Sequence, residues 1–566
     1  MNSSNLLNET ISEKFDEENK VIETKFNVFG ENFSLFYVES LINKTLFSSG
    51  LLAPLEKFVR QNSEKKSQNN SKETEKNNKD CKNANDFAKN DLKIQEKENK
   101  NHQKENLFET IKNLIVAISS VEELSDENQI EQKILSGSAC VVFKDKALVY
   151  PLFGAEKRSV TEPPTARVVK GPREGFVEDI ATNIGLVRKR MKTRDLKIKD
   201  LFLGKRSKTQ VSLLYLEGIV NKEILEEVER RISKIDIDAI IDSYYIESFL
   251  ESDRLKFFRR VGNTEKPDIF CSKILEGRIG ILVDGSPVAL SVPFVLLEDL
   301  QSPEDYYTIP AQATFVRFMR FCGLVLAILI PGVYVALQSF NYRILPINFL
   351  ITLLSSIEGL SVPPLIEILM VLLLFEVITE ASIQMPNSLG MALSIIGALA
   401  LGNTAVDAGI ISPPSVVLVA ISSVAIYIIP DQIAETRLLR ILFTMIGGII
   451  GLYGIITGLI ILTTYLTSIT SFGVPYLSPF APHIKGDLKD GFIKQPIQEM
   501  NKRPILFSGE NSTRQGEMTE EISKEKEQKE KLFKRKNMKK IQDLSAENSK
   551  ENQKKLSSLK SKKEEF

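Results

Sequence analysis

The sequence predicts a multidomain chain of 566 residues, in which duplicated α/β cytoplasmic lobes precede an all-α polytopic membrane domain, with a disordered insertion and a disordered C-terminal tail. Three observations lead to this prediction. Two blocks of sequence occur twice, in the same order, before residue 300. Residues 315–470 are strongly apolar. The 73 basic and 73 acidic residues cancel in number, yet they concentrate in a few segments.

The internal repeat defines the lobes. FSLFYVESLINKTLF (33–47) matches VSLLYLEGIVNKEIL (211–225), and KILSGSACVVFKDKALVYP (133–151) matches KILEGRIGILVDGSPVALSVP (273–293). Because both blocks recur in the same order, the unit is a subdomain of about 100 residues used twice. In each copy we expect strands at the apolar runs, a helix at NKEILEEVERRISKI and two strands around the DGSP turn. The lobes could clasp a small molecule or serve as scaffolding against neighbouring subunits.

The repeat and the composition set the expected domain limits. These are a polar N-terminus at 1–20, a first lobe at 21–153, a linker with a helix at 154–194, a second lobe at 195–310, the membrane domain at 315–470, and a membrane-proximal motif with a tail at 471–566. The first lobe contains an insertion, 61–106, of mostly Lys, Asn, Glu, Gln and Ser, and residues 509–566 are similar. Such segments bury too little apolar surface to offset the ordering entropy, so both are predicted to be disordered.

The linker contains the stretch EPPTARVVKGPREGFVED, residues 162–179. Its prolines stiffen the backbone, and its glycines permit left-handed conformations. The Walker spacing is absent, so this is not a phosphate-binding loop. Arg173 and Glu174 are expected to make ion pairs between lobes or subunits, with ligand contact as the alternative. The signature residues are Glu162, Pro163, Gly171, Pro172, Arg173, Glu174, Gly175 and Phe176.

The membrane domain is predicted from a series of apolar runs. Residues 321–338 match about one bilayer thickness and follow Arg317 and Arg320. These arginines predict cytoplasmic lobes, and the Lys-rich tail predicts the same side for the C-terminus, so an even number of spans is expected. We expect at least four and not more than six spans. Residues 438–468 suit either one tilted span or a tight hairpin.

Two features inside the predicted membrane domain suggest close packing and charge. Small residues recur at helical spacing, where helix packing is expected and a pore lining is the alternative. They are Gly390, Ser394, Ala398, Gly402, Gly447, Gly451, Gly454 and Gly458. A charge at membrane depth costs roughly 2.5–3.5 kcal/mol, so Glu367, Glu376 and Glu380 need water, a cation or a partner. Glu376 and Glu380 could form a cation-attracting ring in an oligomer; alternatively, Glu376 pairs with Arg437 or Arg440.

Catalytic and metal-binding patterns are absent from the sequence. The four cysteines are scattered without CxxC spacing, and the two histidines join no Ser-His-Asp set. We therefore expect no enzymatic activity, no cofactor and no metal site. The cysteine pattern suits a reducing compartment, and the polar N-terminus is not a signal peptide.

Four longer stretches lie in order along the chain. They are EPPTARVVKGPREGFVED (162–179), SVPPLIEILMVLLLFEVITEAS (361–382), LGMALSIIGALALGNTAVDAGIISPP (389–414) and SFGVPYLSPFAP (471–482). Together they resemble the A subunits of spore germination receptors, the GerA-type family of endospore-forming bacteria. Ala166, Lys170 and Asp407 depart from the residues usual in that family, which are Glu, Arg and Glu.

This resemblance implies a function. Receptors of this kind lie in the inner membrane of dormant spores, respond to small nutrients and trigger ion release. The A subunit is thought to act with a transporter-like B subunit and a lipoprotein C subunit, and to oligomerise, as a pentamer, into the ion-conducting part. A non-conducting scaffold of the receptor cluster, and a paralogue that amplifies germination without sensing nutrients, are the alternatives.

Overall fold

The computed structural model describes most of both lobes and most of the helical region. The described residues are 6–15, 17–28, 31–57, 60, 121–152, 154, 170–251, 257–358, 360, 362–384, 404–509, 511–514, 528 and 531–532. The predicted disordered insertion, 61–106, lies outside the described residues, as does most of the tail.

The first lobe is a five-stranded antiparallel sheet covered on both faces. Its strands are β1 (Val21–Val28), β2 (Glu31–Val38), β3 (Glu122–Leu124), β4 (Ala139–Phe143) and β5 (Lys146–Tyr150), and its helices are α1 (Leu6–Lys14), α2 (Lys44–Leu46) and α3 (Glu127–Leu135). The strand order is β1-β2-β4-β5-β3. Successive side chains of a strand point to opposite faces, so Val141 packs in one apolar core and Val142 in the other. This burial on both faces explains the continuous apolar sequence of β4.

Helix α1 lies in the segment that the sequence analysis treats as a polar N-terminus. Leu7 and Ile11 are one turn apart on its inner face, and they are buried against Ile130 and Ile134 of α3. The segment is therefore part of the first lobe. Leu7 and Ile11 do not stand out in the sequence, because most residues of this segment are polar.

The second lobe repeats this topology. Its strands are β6 (Leu196–Leu203), β7 (Thr209–Leu216), β8 (Gly262–Thr264), β9 (Ile279–Val283) and β10 (Ala289–Val292), and its helices are α4 (Ile180–Arg190), α5 (Lys222–Ser233), α6 (Ser243–Leu250) and α7 (Pro267–Leu275). The strand order is β6-β7-β9-β10-β8. The register also repeats, because Leu35 pairs with Val141 and its repeat equivalent Leu213 pairs with Ile281. The repeat in sequence is thus a repeat in strand order and register, while the domain limits stay predictions.

The helical region follows the second lobe. Its helices are α8 (Pro310–Ser339), α9 (Ile347–Ile357), α10 (Pro364–Gln384), α11 (Pro413–Ile426), α12 (Ile433–Ile450) and α13 (Leu452–Ser468). By length and composition, α8 is the one described helix that could cross a membrane by itself. A second candidate exists if α11 and Pro430–Ile450, which meet at 110°, count as one span. The expectation of four to six spans therefore stays a prediction.

Helices α12 and α13 form a helical hairpin. Gly451, with a φ of 77°, separates the two helices at a conformation that L side chains rarely adopt. Gly454 then lies against Ile450, and Gly458 lies against Phe443. Of the two alternatives for residues 438–468, the structure has the tight hairpin.

Both ends of the helical region contact the second lobe. Near its beginning, Arg320 of α8 donates a hydrogen bond of 3.0 Å to the carbonyl of Leu300, which is buried in the core of the second lobe. After its last helix, Ser471 accepts a hydrogen bond of 3.0 Å from the amide of Phe294. Ser471 also donates one of 2.7 Å to the carbonyl of Arg260. The chain thus leaves the lobe and returns to the same lobe.

Candidate functional site

The signature linker is docked on the second lobe over its described part, Gly171–Phe176. The amide of Phe176 donates to the carbonyl of Glu265 at 2.8 Å, and its ring meets Phe270 edge-on at 5.4 Å. The buried ammonium of Lys266 donates to the carbonyl of Pro172 at 2.9 Å. These contacts hold the linker at the beginning of α7. Glu162 and Pro163 lie outside the described residues.

Glu174 makes its ion pairs within the second lobe. Its carboxylate lies 2.8 Å from Lys189 and 2.6 Å from Arg190, both at the basic end of α4. The hydrogen bond from Lys189, followed by that from Arg190, lowers the pKa of Glu174 below its ordinary value. In place of the expected pair between lobes, Glu174 thus has pairs within one lobe, because the chain turns back on itself there; a pair between subunits stays a prediction. Arg173 is exposed.

Different residues join the two lobes. The buried guanidinium of Arg188 on α4 donates to the carbonyl of Asn19. Tyr215 of β7 donates to Glu18 at 2.7 Å, and Lys20 pairs with Asp200. Burial lowers the pKa of Arg188 to about 10. The contact between lobes therefore depends on the short turn before β1, a polar segment with no sequence signal for this role.

The linker reaches the helical region through Tyr307. Gly171 has a φ of 120°, and a Cβ added there would lie 2.8 Å from the Tyr307 ring, so only glycine fits. The Tyr307 hydroxyl donates to Asp268 at 2.9 Å. Tyr307 comes just before α8 begins at Pro310. One side chain thus contacts the signature motif and lies next to the first long helix.

The two residues before Tyr307 anchor α8. Asp305 accepts from Arg317 at 2.9 Å and from Arg320 at 2.8 Å. Arg317 also lies 2.9 Å from Asp490, which accepts from the Tyr306 hydroxyl at 2.6 Å. Burial alone would raise the pKa of Asp305, but the arginines, with Arg320 first, lower it below its ordinary value. This cluster joins the second lobe, α8 and the segment after α13.

A second buried cluster joins the lobe to the corner between α11 and α12. Asp299 pairs with Arg259 and accepts from Gln432 at 2.8 Å. Burial raises the pKa of Asp299 to about 6, although the charge of Arg259 opposes this shift. Beside it, Glu298 pairs with Arg278 and lies 2.8 Å from Lys273. Two acidic residues that are adjacent in sequence thus pair with different basic side chains.

The acidic residue Glu376 is paired inside the helical region. Its carboxylate lies 3.1 Å from Arg437 and also binds Arg440, both on α12. Arg440 is 1% exposed and donates a further hydrogen bond of 3.0 Å to Ser423 of α11. Of the two alternatives for Glu376, the geometry has the ion pair between helices. Two guanidinium groups face this one carboxylate.

The other two acidic candidates differ from Glu376 and from each other. Glu367 is 1% exposed and accepts hydrogen bonds of 2.7 Å from the amide and the hydroxyl of Ser412. It joins the first turn of α10 to the beginning of α11. Glu380 is exposed near the end of α10. The three acidic residues therefore form no common cluster.

The small-residue candidates fall into two groups. Gly390, Ser394, Ala398 and Gly402 lie outside the described residues. Gly447 packs backbone to backbone against Gly332 of α8, and a Cβ on Gly332 would lie 2.6 Å from the carbonyl oxygen of Phe443. Gly454 and Gly458 lie inside the α12–α13 hairpin, and Gly451 separates its two helices. No small-residue stripe was predicted around Gly332, the partner of Gly447, although Ala336 follows it one helical turn later.

No group of three or more His, Cys, Asp or Glu side chains that could hold a metal ion occurs in the described part of the chain. The arrangement instead provides a series of contacts through which a movement of the linker could reach α8. Buried ion pairs and one close glycine contact connect the linker, the second lobe and α8. Asp305, Tyr307 and Asp490 carry no signal in the sequence, because each meets its partner only through the fold.

A protein-family model described as "Bacillus/Clostridium GerA spore germination protein" matches residues 9–506. This match covers both lobes, the linker and the helical region. The chain belongs to the GerA family. Spore germination protein KA of Bacillus subtilis is 37% identical over 374 residues, which cover 66% of this chain and 69% of that protein. Spore germination protein GerLA of Bacillus cereus is 34% identical over 409 residues, which cover 72% of this chain and 83% of that protein.

Two further proteins are similar to this GerA-family chain. A Bacillus subtilis protein described as "Uncharacterized membrane protein YfkQ" is 35% identical, covering 71% of this chain and 79% of that protein. The crystal structure of the N-terminal domain of the A subunit of the Bacillus megaterium spore germinant receptor GerK3 aligns with a TM-score of 0.32 at 24% identity. It covers 50% of this chain and 91% of that chain, and the score is too low to establish a shared fold. The predicted membership in the GerA-type family is confirmed by the family model and the curated relatives.

Proposed function

We propose that this GerA-family chain is the A subunit of a nutrient-responsive germinant receptor, a multi-pass protein of the inner spore membrane with cytoplasmic lobes. The observation that carries the proposal is the family match over residues 9–506. A transporter-like B subunit and a lipoprotein C subunit are the proposed partners, and nutrient sensing belongs to them. The A subunit passes the signal on and is not an enzyme.

The proposed role of the lobes is to move the helices. Gly171 contacts Tyr307, and two residues earlier Asp305 holds Arg317 and Arg320 on α8. A shift of the linker would therefore reach α8 through buried ion pairs rather than through a flexible loop. Separating a buried ion pair leaves an uncompensated charge and is therefore costly. Residues joined by such pairs should move together when the linker shifts.

We propose further that copies of the chain assemble into a ring, as a pentamer, whose helices conduct cations. The exposed carboxylate of Glu380 suits a water-facing position in such a ring. Glu376 suits it less, since Arg437 and Arg440 neutralise its charge. This neutralisation also favours the second candidate function, a non-conducting scaffold of the receptor cluster.

Cation flux from lipid vesicles separates the two functions. The purified chain in vesicles loaded with potassium should release the ion if it forms the conducting part. Glu380→Gln should reduce cation selectivity and leave assembly intact. A scaffold would assemble and yet leave the vesicles sealed. Genes for B and C subunits beside this one would distinguish a receptor subunit from a paralogue that only amplifies germination.

Topology is tested with a thiol reagent that does not cross membranes. Both ends of the helical region meet the second lobe, which supports an even number of spans. With the four native cysteines replaced, Glu520→Cys in intact cells should stay unlabelled until the membrane is permeabilised. Labelling in intact cells would place the tail outside and overturn the cytoplasmic assignment.

A further inference from the structure

The end of the first repeat closes its own lobe. After β5 the chain continues through Pro151, and the amide of Asn43 donates to the carbonyl of Leu152 at 2.9 Å. The amide of Gly154 then donates to the carbonyl of Leu41 at 3.2 Å. The chain that follows β5 therefore runs along the turn between β2 and α2 and covers the edge of the lobe.

The second repeat is interrupted at the equivalent point. Pro293, which matches Pro151, is followed by Phe294, and from there the chain runs toward the helical region. The place of residues 152–154 is nevertheless filled. The amide of Gly509 donates to the carbonyl of Ile219 at 2.7 Å, and Ser508 forms an antiparallel bridge with Val220. In the repeat, Ile219 is the equivalent of Leu41.

The side chains agree with this equivalence. Leu152 is buried in the core of the first lobe, and Phe507 is buried in the core of the second. Gly509 lies too close to the turn for a larger residue, since an added Cβ there would be 2.7 Å from the carbonyl oxygen of Val220, and an added Cβ on Gly154 would make a tight contact of 3.3 Å with the Cβ of Asn43. The local sequences also end alike, LFG at 152–154 and LFSG at 506–509.

We infer that residues 504–509, the closing strap, are the displaced end of the second repeat, and that the second lobe carries a docking surface for this extended segment. The surface recognises its occupant by specific chemistry. The carbonyl of Leu275 accepts from Arg503 at 2.8 Å, and the guanidinium of Arg278 stacks on the Phe507 ring at 4.1 Å. Gly277 leaves room for the strap backbone, because a Cβ there would lie 2.7 Å from the carbonyl oxygen of Phe507.

This assignment makes the helical region an insertion within the second repeat. The sheet of the second lobe holds the chain before α8 at Pro293 and the chain after α13 at the strap. The strap also lines a cleft together with Glu276, Arg278 and Asp490. Release of the strap would widen this cleft and remove one of the contacts between the second lobe and the chain that follows α13.

Hydrogen–deuterium exchange on the full-length chain in detergent tests the inference. Gly509→Val places a side chain against the carbonyl of Val220 and should release the strap. Amides of residues 216–222 and 503–509 should then exchange about tenfold faster or more, while those of residues 38–43 in the first lobe stay unchanged. The control Gly486→Ala should change nothing, since its nearest neighbour is Ile505 at 4.0 Å.

A second experiment guards against a variant that fails to fold. In a chain that ends at Arg503, a synthetic peptide of residues 501–514 should restore protection at 216–222, and the same peptide with Phe507→Asp should not. Unchanged exchange at 216–222 in both the Gly509→Val chain and the shortened chain would overturn the inference. Equal protection by both peptides would overturn it as well.

Discussion

Glu376 and Arg437 form an ion pair of 3.1 Å between α10 and α12. Arg440, one turn further along α12, binds the other carboxylate oxygen. Helix α10 is thereby held to α12 by a carboxylate that serves two guanidinium groups. These contacts lower the cost of placing the charges of Glu376, Arg437 and Arg440 in an apolar region, because each charge has an opposite charge at contact distance.

Neutralising this carboxylate should destabilise the protein. Glu376→Gln leaves Arg440 buried without a counter-charge, so we expect a loss on the order of 1–3 kcal/mol of unfolding free energy. Thermal unfolding in detergent measures this loss. Glu380→Gln, one turn away and exposed, is the matched control and should lower the unfolding midpoint much less, because solvent screens the interactions of an exposed carboxylate. Equal effects of the two substitutions would contradict a structural pair.

The crossing of α8 and α12 should not tolerate a larger residue at Gly447. Its backbone touches that of Gly332, and close backbone contact is a source of helix association where no hydrophobic drive acts. Gly447→Leu should lower the free energy of unfolding by about 1–3 kcal/mol through overpacking. Gly447→Ala should lower it by less. Thermal unfolding in detergent again gives the measurement. A Gly447→Leu chain as stable as wild type would show that the helices do not cross there.

Gly171→Ala tests the contact between linker and Tyr307. It combines a positive φ with a collision against the ring, so about 1–3 kcal/mol should be lost. Gly218→Ala is the matched control, because Gly218 has a φ of 77° and nothing within 4 Å. It should show the smaller cost of backbone strain alone. In a double-mutant cycle, Tyr307→Ala should relieve part of the Gly171→Ala defect; strictly additive losses would exclude the contact.

The ion pairs of Glu298 should make a contribution to stability that is lost in acid. Burial would raise its pKa, but Arg278 and Lys273 lower it from 4.5 to about 2. Because the folded pKa lies below the unfolded one, the stabilisation is complete above about 4.5 and is lost as the pH falls toward about 2. The difference in unfolding midpoint between wild type and Glu298→Gln should therefore shrink over this range. A difference that stays constant would show that Glu298 is not ionised in the pair.

The sequence alone predicted the repeated elements of the lobes. Two apolar blocks repeated in order imply two copies of one sheet, and β9 and β10 lie on either side of the DGSP turn as expected. These predictions succeed because the alternation of side chains, the spacing of a helix and the chemistry of a turn are local properties. The polar segment with α1 escaped prediction, since two apolar residues carry its burial.

Only the tertiary structure decided which distant residues meet. Glu376 could face water or an arginine, and the packing of α10 against α12 selected the arginines. Glu174 could bind another lobe, and the turn into α4 selected Lys189 and Arg190 of its own. Patterns along a chain report how buried a position is, whereas an ion pair depends on how the elements pack.

The closing strap shows the same division within one repeat. The sequence determined that the second lobe copies the first, and LFSG at 506–509 resembles LFG at 152–154 once the two are placed side by side. It did not reveal that Phe507, more than two hundred residues beyond Pro293, returns to fill the core of that lobe. No local sequence pattern predicts that the strap packs on the second lobe, because its position depends on the shape and the hydrogen-bonding groups of the surface that it covers. The sequence by itself thus determined the repeated parts, and the tertiary structure decided which segment completes each of them.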